Sequence, residues 1–91
     1  MKNSVVVLVA IRYLKDETRV YLYINEENNV YFVGIPDYNW SVEVSTLLDT
    51  IGIKEEFVMH LFTIFDEQKS THITNQIIEW LEVLKENINE Y

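Results

Sequence analysis

Any chemistry in this chain of 91 residues must be built from two histidines, fifteen acidic side chains and no cysteine. An enzyme needs a nucleophile beside a base, a metal cage, or paired acids in a cleft. His60 and His72 show neither the i, i+4 pairing of a zinc helix nor a thiolate partner. On a helical reading of residues 54–68, Glu56 stands one turn before His60, which makes a surface pair worth about a few tenths of a kcal/mol. With only Gly34 and Gly52, neither a phosphate-cradling loop nor a dinucleotide fingerprint can be assembled. The serines and threonines fall mainly where caps and turns are expected, and hydroxyl-to-backbone bonding accounts for them there. The residue types therefore point away from an enzyme: no catalytic, cofactor-binding or metal-binding residues are expected, and no cofactor.

The charge says more. Lys and Arg total 7 against 15 Asp and Glu, a net charge of −8, and residues 46–91 hold nine acids against three bases. A bare acidic surface repels phosphate, so direct binding to nucleic acid or to an anionic membrane is disfavoured. A protein partner, in particular a basic nucleic-acid enzyme, is favoured by the same field. The early apolar run is ended by Arg12, too short to span a bilayer and lacking a signal-peptide cleavage pattern, so a cytoplasmic location is expected. A chain of this length suits one domain over residues 1–91.

The elements that must position these residues follow from periodicity. Ser4 to Tyr13 is apolar on both alternating faces and rich in β-branched residues, as in a strand covered on both sides around which the chain is built. Thr18 to Asn25 alternates, with Val20, Leu22 and Ile24 on one face and Arg19, Tyr21 and Tyr23 on the other. Val30 to Ile35 resumes the pattern after Glu26-Glu27-Asn28-Asn29. Pro36 ends the ladder. The short connections predict a three-stranded antiparallel meander over about 4–14, 18–25 and 30–35.

Two or three helices are expected to follow and to pack on the sheet, giving an α+β fold. The first covers 42–51, capped by Asn39 or Ser41, with Val44, Leu47, Leu48 and Ile51 inward and Gly52 ending it. Residues 54–68 fit a helical face through Phe57, Leu61 and Phe65, although Phe57 to Phe65 also reads as a buried strand. The last, 71–89, repeats Ile73, Ile77, Leu81, Leu84 and Ile88 at spacings of three and four. Its reverse face carries Glu79, Glu82, Glu86 and Glu90, a charge stripe and not an active site.

Two surfaces are candidates for partner binding. One is the acidic stripe Glu79, Glu82, Glu86 and Glu90. The other is a tyrosine-rich sheet face drawn from Tyr13, Tyr21, Tyr23 and Tyr31, with Tyr21, Tyr23 and Tyr31 as its binding candidates, since tyrosine combines rigid apolar area with a hydroxyl that tolerates water. Trp40, near Pro36 and Tyr38, either anchors a partner or folds back to close one end of the core.

The order of a strand, a Tyr-rich second strand, Val33-Gly34-Ile35-Pro36-Asp37-Tyr38-Asn39-Trp40-Ser41 and a terminal helix with Ile77-Ile78-Glu79-Trp80 resembles the YueH-like small proteins of low-GC Gram-positive bacteria. The resemblance rests on Ile-Pro-x-x-x-Trp-Ser and on the helical Trp. It implies no activity, because that family has none assigned and so offers no functional residues to carry over.

The expected function is a small acidic, non-catalytic protein-binding module acting through the acidic helix face or the Tyr-rich sheet face. A sharper alternative is an inhibitor or immunity-type protein that mimics DNA and blocks the basic site of a nucleic-acid enzyme. A second alternative is a self-associating assembly protein, a homodimer, because three strands and one helical layer leave an apolar face of the first strand uncovered.

Overall fold

The computed structural model describes residues 7–89. They fall into two compact units that divide between Asp49 and Thr50. The first unit is a four-stranded antiparallel sheet in the order β1-β2-β3-β4, formed by β1 (Val7–Tyr13), β2 (Arg19–Asn25), β3 (Val30–Ile35) and β4 (Trp40–Ser45). The second holds two helices, α1 (Thr50–Leu61) and α2 (Glu67–Asn89). The α+β class and the antiparallel meander agree with the sequence reading. The third strand matches 30–35 residue for residue, and the second begins one residue later than expected.

Three turns set the register. Between β1 and β2, Glu17 N–H donates to the Leu14 carbonyl at 2.8 Å and Leu14 N–H donates to the Thr18 carbonyl at 3.0 Å, with Glu17 in the left-handed region at φ 70°. This is a three-residue hairpin loop with a bulge, and Asp16 steadies it by accepting from Thr18 N–H at 3.1 Å. Between β2 and β3, Asn25 Oδ1 accepts from Asn28 N–H at 3.0 Å, and Asn29 takes φ 57°. Between β3 and β4, Pro36–Tyr38 forms one 3-10 turn, and Asn39 closes it at φ 51° with its N–H on the Pro36 carbonyl.

That last turn overturns the expected helix over 42–51. Pro36 ends β3, but the chain reverses and Trp40–Ser45 returns as the fourth strand. Val42 and Val44 are buried while Ser41 and Glu43 are exposed, a period of two and not of 3.6. The two valines favour the pleated backbone, although Val44 also fits helical spacing with Leu47, Leu48 and Ile51. Leu47, Leu48 and Ile51 are exposed, not inward. Asn39 closes the 3-10 turn and Ser41 lies in β4, so neither begins a helix over 42–51, and Gly52 lies inside α1 instead of ending a helix.

The first strand is corrected too. The portion of the expected 4–14 strand before Val7 lies outside the described residues. Val7–Tyr13 stands at the edge of the sheet and is not covered on both faces, because Val9, Ile11 and Tyr13 are exposed.

In the second unit, the ambiguous 54–68 stretch is helical up to Leu61, with Ile53, Phe57 and Leu61 buried at spacings of four. Residues 62–66 turn, and Asp66 starts α2 by accepting from Lys69 N–H at 2.8 Å through its carboxylate. The final helix thus begins four residues before the expected Thr71. Ile73, Ile77, Leu81 and Leu84 form its buried stripe, and it packs against α1. The side chain of Ile88, the expected fifth member, lies outside the described residues.

Candidate functional site

The pairing register sorts every sheet residue onto one of two faces. Val20, Leu22 and Ile24 of β2 stand beside Arg12, Ala10 and Leu8 of β1 and beside Val33 and Tyr31 of β3. Val42 and Val44 of β4 continue that face, and the strand centre there is buried. The opposite face carries Val9, Ile11 and Tyr13 from β1, Arg19, Tyr21 and Tyr23 from β2, and Phe32 from β3. It ends on Ser41 and Glu43 of β4.

This outer face is apolar and open. Val9 is 68% exposed and Tyr13 60%, with Ile11, Tyr21 and Phe32 also exposed. Val9, Tyr23 and Phe32 form one row across three strands, and Ile11, Tyr21 and Gly34 form the next. The rings are held in place by each other and by one cation. Tyr23 and Phe32 meet edge to face at 6.5 Å between centroids. Arg19 donates to the Tyr21 hydroxyl at 3.3 Å, its guanidinium carbon lies 5.8 Å from that ring's centroid, and Asp37 stands 3.5 Å from its other nitrogen. Asn25 donates to the Tyr23 hydroxyl at 3.4 Å. The result is an apolar strip across the outer face, bordered by Arg19, Asp37 and Glu43.

Of the sheet residues expected to bind a partner, Tyr21 and Tyr23 lie on this face. Tyr31 does not. It opposes Ile24 on the buried face and is 5% exposed, because the four-residue loop 26–29 puts Phe32, not Tyr31, opposite Tyr23. Phe32 is therefore a surface residue missed in the sequence. The signal was present: Val33 and Ile35 share parity with Tyr31, and two β-branched aliphatics mark the inward set. Trp40 is half-buried opposite Ile35 and shares the face of Val42 and Val44, not the outer one.

The acidic stripe is formed as expected over its described part. Glu79, Glu82 and Glu86 are exposed on α2, within one face by helical spacing, while Glu90 lies outside the described residues. His60 pairs with Glu56 at 3.8 Å, one turn apart on α1, with both side chains half exposed. A groove of about 480 Å³ between the two helices is lined by Ile51, Lys54, Val58, Met59, Thr71 and Thr74 among others. Thr74 Oγ1 is buried there without a hydrogen-bond partner. Among the described residues, no three His, Asp or Glu side chains converge as metal ligands. No helix among them is long and apolar enough to cross a membrane.

Fold and surface together define a small α+β chain whose conspicuous feature is an aromatic sheet face. The model of the YueH-like protein family matches residues 3–83, and the chain belongs to that family. No curated protein and no solved structure matches it.

Proposed function

We propose that this chain is a non-catalytic protein-binding module whose contact surface is the outer face of its sheet. The observation that carries the reading is the continuity of exposed apolar side chains across three strands, Val9, Ile11, Tyr13, Tyr21 and Phe32. Leaving such a strip in water costs about 25 cal/mol per Å², and burial against a partner recovers it. Rigid rings add contact area at small entropic cost, and the Tyr23–Phe32 and Arg19–Tyr21 contacts pre-order them.

Tyr21→Ala separates recognition from folding. The ring is exposed and its hydroxyl accepts from the exposed Arg19, so the melting temperature should fall by less than about 4 °C while affinity for a bound partner falls about tenfold or more. Loss of stability in proportion to binding would make the ring structural. Tyr23 is the poorer test, since it is half-buried between Phe32 and Asn25.

A second reading is supported by the exposed row of Glu79, Glu82 and Glu86: an acidic inhibitor that occupies the basic site of a nucleic-acid enzyme. Replacing the three by glutamine should then slow association and flatten its dependence on ionic strength. An association rate unaffected by the triple change removes the stripe from the mechanism.

A further inference from the structure

We propose that β1 pairs antiparallel with β1 of a second copy of this chain, centred on Ala10, joining two four-stranded sheets edge to edge. This is independent of which partner the outer face takes.

The hydrogen-bond pattern shows what the edge offers. Leu14 donates to Thr18 at the end of the β1–β2 ladder, and antiparallel bonding alternates, so Arg12, Ala10 and Leu8 bond inward to Val20, Leu22 and Ile24. The main-chain groups of Val9, Ile11 and Tyr13 therefore point out of the sheet. One detail agrees with this: Arg12 Nη1 reaches the Ile11 carbonyl at 3.0 Å in an exposed position. Edge strands are ordinarily blunted by charged side chains, lysine above all, by proline, or by a bulge within the strand. Val7–Tyr13 has no proline and pairs without interruption, and its one charge, Arg12, must release the Ile11 carbonyl for a second strand to add.

Charge and register select the second copy as occupant. In a chain of net charge −8, the opposite edge, β4, carries Glu43, whereas β1 carries only Arg12. At the β1 edge two copies meet without carboxylate facing carboxylate. Outward groups must meet outward groups, so odd positions pair with odd ones. Centring on Ala10 sets Val9 against Ile11 and Val7 against Tyr13 of the second copy, and engages the outward groups of the described strand. The smallest side chain of β1 then lies on the two-fold axis, at a non-hydrogen-bonded pair where opposing Cα atoms approach to about 4.5 Å. Centring on Arg12 would instead set two guanidinium groups face to face. Strand pairing of this length buries less than the ~1,200 Å² of a tight interface, so the dimer is in the weak, concentration-dependent class. The outer faces of the two copies become one surface spanning both sheets.

The test uses the full chain. Sedimentation equilibrium from ~10 to ~500 µM should show a monomer–dimer equilibrium, and Val9→Lys, at a site already exposed, should raise its dissociation constant about tenfold or more without lowering the melting temperature. A monomer throughout, or a dimer indifferent to Val9→Lys, overturns the proposal. Because the chain has no cysteine, Ala10→Cys and Tyr13→Cys report register directly. Ala10→Cys should oxidise to a disulfide-linked dimer faster than Tyr13→Cys, although position 13 is the more exposed. Equal or faster linkage through position 13 overturns the register.

Discussion

Glu17 holds a left-handed backbone conformation at φ 70° that costs a side-chain-bearing residue about 1 kcal/mol or more. Its N–H must face the Leu14 carbonyl to close the first hairpin, so the geometry is retained despite the cost. Glu17→Gly should stabilise the chain by about 0.5–1 kcal/mol, seen as a higher urea midpoint at unchanged slope. A lower midpoint would show that the side chain, not the backbone, holds the turn. Thr74 offers the complementary case. Its buried hydroxyl lacks a partner, and such a group costs about 1–3 kcal/mol. Thr74→Val keeps the shape and should raise the melting temperature by about 4–8 °C, whereas a fall would mean that the hydroxyl is satisfied in solution. Neither residue stood out in the sequence, because positive φ and hydrogen-bond satisfaction depend on the turn and the packing around the residue. Tyr31 and Phe32 make the same point: their faces are decided by the length of the loop before them.

At the scale of elements, α2 is the clearest case of a sequence that writes its own structure. Its buried stripe repeats at helical spacing, and Asp66 supplies the cap that begins it. Asp66→Ala should cost about 1 kcal/mol, and Asp66→Asn most of that less, as a side-chain oxygen is still offered to Lys69 N–H. Equal losses would assign the effect to charge at the helix start instead of the hydrogen bond. β2 and β3 were legible for a similar reason, since strict alternation has one solution. β4 was not. Val44, Leu47, Leu48 and Ile51 fit a helical face while Val42 and Val44 fit a strand, and the turn at Pro36–Asn39 returns the chain as the strand. α1 stayed ambiguous because it is apolar on more than one side: Ile53, Phe57 and Leu61 are buried while Ile51 and Met59 are exposed.

For the whole molecule, two properties compete to define its role. One is the net charge of −8, expressed in the exposed row of Glu79, Glu82 and Glu86. The other is the outer sheet face, whose exposed apolar rows cross three strands. Part of that face was legible in the sequence through Tyr13, Arg19, Tyr21 and Tyr23. Val9 and Ile11 were legible as an apolar face of the first strand that one helical layer leaves uncovered, whereas Phe32 was hidden because its face depends on the length of the loop before it. The two surfaces respond oppositely to salt, since ionic screening weakens charge pairing but not apolar burial. The most direct measurement is affinity capture from the source cell lysate with the full chain as bait, at low and at raised salt, beside a Tyr21→Ala bait. A partner retained at raised salt and lost with Tyr21→Ala is the predicted result. A partner released by salt and still held by the Tyr21→Ala bait would contradict the sheet face as the contact surface.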